Sequence, residues 1–366
     1  MNTNHAASPR RDSAGTPLPE QQPNRSRRHF LKQLAGLGAG GLLLMHGLYG
    51  CSDTPSGPGN EVPDVEKPEV PAGLSGTVTG LMQAYIDRVY DRGGRIISVD
   101  KLAAELVFLE TEGLLGALHS AFLPYAGFQA SSETGPVSRW FNVLEQGDGI
   151  QSDESLRPAL EDGALRFNGK VMRFESQTAS LLRVQPGQNF TMLLLADIQS
   201  GNGYALSVAE RFEILMNASN EATPRFNLNG SNGVNISRAG TSQGGPYLNT
   251  LVYDGARPDE ADFYFNNVFE RSFNEFSAGE AGSADTPLFL GGRSESDSGS
   301  LQMRLHGFWL FDRALQAEEI AAFSLFKSGQ VSGMGWHPGG YPELEDEEIR
   351  SYLETLHRAG GYLRQP

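Results

Sequence analysis

Apolar and polar positions alternate most regularly near the end of the chain. Leu301, Met303 and Leu305 are separated by Gln302, Arg304 and His306, and the apolar set runs on through Gly307, Trp309 and Phe311. A period of two over that length predicts a long strand with one buried face. The pattern breaks at Asp312-Arg313, and Leu315 to Phe323 reads as a short helix with Glu318 and Glu319 in its first turn, where the helix dipole favours acids. Upstream, short alternating runs separated by Gly, Asn, Asp and Pro lie at 140–144, 164–167, 190–198, 204–208, 212–216, 225–228, 234–236, 247–253, 263–269 and 288–290. Many short strands with turn residues between them predict a mainly β protein, a two-sheet antiparallel sandwich.

The residues before that region have a different period. Val78, Leu81, Met82, Tyr85, Ile86, Val89 and Tyr90 form a helical stripe that stops at Gly93-Gly94. A second helix is predicted from Val99 to about Glu112, capped by Ser98, and a third from Leu114 to Phe122, carrying His119 and closed by Pro124. A last helix is predicted from Glu343 to about His357, with its acids in the first turn.

The strand, corner and helix at the end of the β region resemble the closing segment of laminin-G-like and pentraxin-like domains in the concanavalin A-like lectin/glucanase superfamily. The matching features are the small-residue turn at Gly299, the strand, the Asp312-Arg313-Ala314-Leu315 corner and Glu318-Glu319-Ile320. Phe167-Asn168-Gly169 and the hairpin from Phe263 to Val268 resemble two of the family's hairpins; in the second, Asn267 stands at the usual Gly and is expected to take its left-handed conformation. Gln316 replaces the usual Ser or Thr cap, so the helix needs another acceptor. The resemblance implies a jelly-roll sandwich over 137–326, preceded by a helical subdomain at 76–130 and followed by a tail at 327–366 with the final helix.

The N-terminus is an address. Ser26-Arg27-Arg28-His29-Phe30-Leu31-Lys32 resembles the twin-arginine export signal, with Arg27 and Arg28 as its pair, and a Gly-diluted apolar stretch follows from Leu34 to Tyr49. Leu48-Tyr49-Gly50-Cys51 resembles a bacterial lipobox, which implies diacylglycerol on Cys51 and a membrane anchor. Residues 1–50 are then signal peptide, and 51–75, rich in proline, a tether. Ser52 rather than Asp follows the cysteine, which implies outer-membrane rather than inner-membrane placement in a two-membrane cell.

Charge and cysteine count narrow the class. The chain carries a formal charge of −15 even with a basic N-terminus, which disfavours nucleic acid as a partner. Cys51 is the one cysteine in the sequence, so no intrachain disulfide supports the fold. No Gly-rich dinucleotide fingerprint or paired-histidine spacing calls for a cofactor.

Catalysis has little to stand on in the sequence. Retaining glycoside hydrolysis needs two carboxyl groups about 5–5.5 Å apart, and no predicted strand carries the family's Glu-x-Asp-x-x-Glu arrangement; nor is there a Gly-x-Ser-x-Gly. The chain is therefore expected not to be an enzyme. Calcium is the metal such loops take, with Asp254, Asp259, Glu295 and Asp297 as candidate ligands. Tyr204 and Tyr247 are candidates for stacking on sugar rings. The combined expectation is an envelope lipoprotein displaying a non-catalytic module that recognises a glycan or an envelope protein. The alternatives are a carbohydrate-active hydrolase or lyase, and a structural component without a small ligand.

Overall fold

The computed structural model describes residues 66–132, 134–145, 147–182, 186–208, 212–217, 222–226, 246–273, 287–294, 301–331 and 334. Arg27, Arg28, Cys51, Glu295, Asp297, the expected strand at 234–236 and the expected helix at 343–357 lie outside them.

Helix α1 (Gly76–Asp91) begins at Ser75, whose hydroxyl accepts the Val78 N–H at 3.2 Å, and α2 (Val99–Thr111) begins at Ser98, which accepts the Lys101 N–H at 3.3 Å. Both form where the stripes predict. Between them lies β1 (Arg95–Ile96), and after them come β2 (Leu118–Phe122), β3 (Gly127–Ala130), β4 (Val137–Trp140), β5 (Gly149–Ile150), β6 (Ala159–Glu161), β7 (Ala164–Asn168) and β8 (Met172–Phe174). A single helical turn, α3 (Ser176–Ser180), precedes β9 (Asn189–Ser200), β10 (Asn202–Val208), β11 (Phe212–Asn217), β12 (Ala222–Phe226), β13 (Tyr247–Asp254), β14 (Ala261–Phe265), β15 (Val268–Phe273), β16 (Leu288–Leu290), β17 (Gln302–Phe311) and α4 (Ala317–Gln330).

The strands form two antiparallel sheets. One has nine strands in the order β1-β3-β4-β5-β8-β16-β10-β11-β12; the other has the order β15-β14-β13-β9-β17-β7-β6, with β2 also paired to β17. The expected third helix is thus a 3-10 turn at Leu115–Ala117 followed by a strand. Pairing decides this, because Phe122, Ala121 and Ser120 lie opposite Phe308, Trp309 and Leu310, and a sheet partner overrides local helical preference. The run expected at 140–144 likewise ends at Trp140, five short strands, β1, β2, β3, β5 and β6, were not predicted, and the hairpin expected over Gly163 to Phe174 does not form because β7 and β8 lie in different sheets.

Between the sheets lies an aromatic core. Phe122 sits edge-on to Trp140 and Phe174 with ring centroids 5.5 and 4.6 Å away, and the Trp140 indole N–H donates to the Leu123 carbonyl at 3.0 Å. A second apolar layer forms on the opposite face of the eight-stranded sheet, where α1, α2 and α4 cover Leu193, Leu195, Leu248, Val252, Trp309 and Phe311. The Tyr85 hydroxyl fixes α1 in place, donating to the Phe141 carbonyl and accepting the Gly127 N–H at 2.7 Å.

Strand β17 therefore buries both faces. Met303, Leu305, Phe308 and Leu310 point into the inter-sheet core, while Trp309 and Phe311 point under the helices. The alternation read from the sequence slips at a bulge between Leu305 and Gly307, which moves Trp309 and Phe311 to the other side.

The corner after β17 explains its own residues. Arg313 forms two 2.7 Å contacts with the Glu319 carboxylate, which also accepts the Gln316 N–H at 2.8 Å as half of a capping box, while the Glu319 N–H goes to the Gln316 carbonyl at 3.1 Å. Thr191 on β9 donates to the Arg313 carbonyl at 2.8 Å and accepts the Leu315 N–H at 2.9 Å. In the β14–β15 hairpin the left-handed residue is Asn266, with φ of 55°, rather than Asn267. Its side-chain oxygen accepts the Leu248 N–H at 3.0 Å, and that bond sets which asparagine turns.

Candidate functional site

Strand β1 ends one sheet and β6 ends the other, and beside them an isolated antiparallel bridge pairs Pro136 with Ala159. Asp162-Gly163 closes the β6–β7 hairpin with both residues left-handed, φ of 50° and 72°, the two-residue turn that Asp-Gly favours. Both turn residues line a cavity of about 430 Å³. The size falls in the range of small-molecule pockets, roughly 300–1,000 Å³.

Three kinds of group line it. Tyr90, at the end of α1 and partly buried against the second apolar layer, lines it with an aromatic side chain, and Ile96, Ile97 and Leu160 supply apolar surface, Ile97 being 44% exposed. Thr134, Arg95 and Asp162 supply polar groups. The Arg95 guanidinium donates to the Ser132 carbonyl, which fixes its direction, while its Nε is buried without a hydrogen-bond partner. A buried donor left unpaired costs about 1–3 kcal/mol, so a ligand oxygen that reached it would be well held. An aromatic face beside paired polar donors and acceptors suits a ring that is apolar on its faces and hydroxylated at its edges.

The residues expected from sequence lie elsewhere. Asp254 accepts the Ala256 N–H at 3.0 Å, and its carboxylate lies 3.7 Å from Arg257, which also contacts Glu260 at 3.0 Å and Asp262 at 2.9 Å. The hydrogen bond to Asp262 holds the Arg257 guanidinium above its ordinary pKa. These acids thus gather on an arginine, with Asp259 in the same loop, and among the described residues no group of three or more His, Cys, Asp or Glu is placed to hold a metal ion. Tyr247 is 8% exposed, with its ring 4.5 Å from that of Phe265, so its face is not offered to solvent. Tyr204 lies 5.5 Å beneath the Arg293 guanidinium, whose Nε contacts the buried Glu213 at 2.7 Å. The structure brings none of these candidates to the edge cavity.

Two further polar clusters were missed. Asp197 on β9 holds both Arg304 Nε and His306 Nε2 at 3.2 Å, on the helix-bearing side of the eight-stranded sheet. Asp148, 4% exposed, receives Arg88, Arg92 and Arg139 at 3.0, 3.0 and 2.9 Å. His119 lies in β2, not in a helix; it is within 2.9 Å of the Ser120 hydroxyl, and burial lowers its pKa. Only the Asp-Gly turn could have been found from local sequence; Asp162 joins Tyr90 and Arg95, much earlier in the chain, through the fold alone.

No protein-family model and no curated protein matches the sequence. Solved structures similar to this chain include Trypanosoma rangeli sialidase in complex with sialic acid, at 13% identity and a TM-score of 0.41, over 58% of this chain and 33% of that one. A mutant of the same sialidase displaying trans-sialidase activity matches at 12% identity and 0.41, over 63% and 39%. The botulinum neurotoxin serotype D binding domain matches at 8% identity and 0.40, over 57% and 50%. The chain thus spans about a third of the sialidase's length. The expectation that it is not an enzyme is corrected here, because the neighbours of its fold include sialidases and the fold gives no ground for excluding catalysis. The two-sheet architecture itself is read from the strand pairing of this chain.

Proposed function

We propose that this protein is an exported lipoprotein, anchored through Cys51, whose laminin-G-like sandwich recognises a saccharide in the edge cavity. The observation that carries the reading is the cavity itself, with Tyr90 and Ile97 for a ring face and Arg95, Thr134 and Asp162 for hydroxyls. Pockets of this composition fix a ligand's orientation with a few polar groups on an apolar floor. The Arg27-Arg28 signal, the lipobox and the Pro-rich tether support display at a membrane surface, and Ser52 favours the outer membrane. An envelope protein is the second class of partner in this reading.

A glycan-array screen of the detergent-solubilised full chain, run with calcium and again with chelator, tests it. Binding should be lost in Tyr90→Ala and in Asp162→Asn and kept in Tyr247→Phe. A loss on chelation would assign a calcium site to the acidic loops. Binding that survives both cavity substitutions sinks the cavity reading. Release of shortened saccharides during the same incubation would favour a hydrolase or lyase, with Asp197 and His306 the first pair to replace. Replacing Cys51 by Ala should move the protein from membranes to the soluble fraction.

A further inference from the structure

The nine-stranded sheet presents one register row on the side away from the core: Gln129 on β3, Arg139 on β4, Ile150 on β5, Arg173 on β8 and Phe289 on β16. Their chain neighbours Phe128, Trp140, Phe174 and Leu288 are core residues, so this row faces outward. With strands roughly 4.8 Å apart, Arg139 and Arg173 stand roughly 10 Å apart with Ile150 between them. Arg173 is exposed and Ile150 half-buried, while Phe289, opposite Arg173 on β16, is buried, so the open part of the row ends at Arg173.

At the β4 end the row meets the Asp148 cluster. Arg88, whose side chain is 14% exposed, is enough to neutralise the buried carboxylate, yet Arg92 and Arg139 share its other oxygen with side chains 52% and 25% exposed. Three guanidiniums on one carboxylate leave the cluster positive, in a chain whose formal charge is −15. Neutralising Asp148 does not require this surplus, and the surplus lies on the exposed side.

We infer that the strip formed by Arg92, Arg139, Ile150 and Arg173 binds an extended acidic polysaccharide lying across the strands. Anionic groups on alternating sugar units would meet Arg139 and Arg173, where guanidinium geometry suits carboxylate or sulfate. The unit between them would rest on Ile150. A sugar chain fits better than an acidic peptide, because an extended peptide gains its backbone hydrogen bonds at a sheet edge and this surface is a sheet face. The site is separate from the edge cavity, since none of the strip's four residues lines that cavity.

The test is binding of the detergent-solubilised full chain to polygalacturonate, with neutral dextran and poly-glutamate alongside, at low and high salt. The wild-type chain should bind polygalacturonate, bind dextran not at all, and weaken as salt screens the charges. Arg92→Gln with Arg173→Gln should weaken binding at least tenfold at an unchanged melting temperature; if the pair lowers that temperature, Arg173→Gln alone carries the test. Tyr90→Ala should leave this binding intact, so failure of the cavity reading and failure of this one can be told apart. No polygalacturonate binding at low salt, or binding indifferent to the arginines, overturns the inference. Equal, arginine-dependent binding of poly-glutamate overturns the polysaccharide and assigns the strip to acidic polypeptides.

Discussion

Glu105 on α2 and Lys327 on α4, 222 positions apart in the chain, form an ion pair in which neither side chain is more than 1% exposed. The Trp309 indole N–H donates to the same carboxylate at 3.0 Å and the Tyr125 hydroxyl at 2.6 Å, while the ammonium lies 4.5 Å over the Trp309 ring and 3.0 Å from Gln330. The pair therefore ties both helices to the sheet through one tryptophan. Removing one member of a buried pair strands the other charge and costs about 3–5 kcal/mol. Lys327→Met and Glu105→Gln should each lower stability by that order in chemical denaturation. The double variant should be far less damaged than the two losses added together, and simple additivity would show that the two groups are not coupled.

The same lysine predicts a pH dependence. Burial pushes its pKa down to about 8 from an ordinary value of 10.5, against the pull of Glu105. The sign follows from proton counting: between about pH 8 and 10.5 the unfolded chain holds the proton more often than the folded one, so unfolding free energy contributed by this group rises with pH. Below pH 8 both states hold it and the contribution is flat. Relative to Lys327→Met, the wild-type chain should gain stability between pH 7.5 and 10, which thermal melts at matched ionic strength would read. A wild-type-minus-variant difference that falls across that window would be the opposite result.

What local sequence could convey divides at the same layer. The stripes of α1 and α2, their serine caps and the alternation along β9, β10 and β13 are local signals, and each element formed at or near its expected place. The doubly buried end of β17 was hidden because Gly-Phe-Trp-Leu-Phe is apolar at nearly every position, and a period of two cannot show which side each residue faces. Strands as short as β1 and β5 have too few residues for any period, and they form because neighbours offer ladder partners. The edge cavity was illegible for that reason, since one of its walls is β1.

Gly307 is a position where both backbone and packing resist change. Its φ of 156° is one that side chains rarely adopt, and a Cβ there would meet the Trp309 ring at 2.1 Å. Backbone strain of this kind costs about 1–3 kcal/mol and overpacking typically another 1–3. Gly307→Ala should therefore destabilise by several kcal/mol in urea melts and shift Trp309 fluorescence, because the ring must leave its place above Lys327. A variant within about 0.5 kcal/mol of wild type, the usual range for an inconsequential surface change, would mean that the bulge relaxes freely.

Asp148 and its three arginines should rank by burial rather than by distance. All three contacts are 2.9–3.0 Å, but Arg88 is 14% exposed and also donates to the Asn142 and Leu144 carbonyls, whereas Arg92 is 52% exposed. An exposed pair contributes about 0–1 kcal/mol, so Arg92→Gln should be nearly silent in stability. Asp148→Asn should cost about 2–4 kcal/mol, since it leaves Arg88 buried without its counter-charge and weakens the acceptor of the Asn142 N–H at 3.2 Å. Arg88→Met should fall between the two, because it frees two carbonyls but leaves Asp148 two other cations. Denaturation midpoints of the three variants give the order directly, and an Arg92→Gln loss as large as that of Asp148→Asn would show that the exposed arginine bears on the fold as well as on the surface charge.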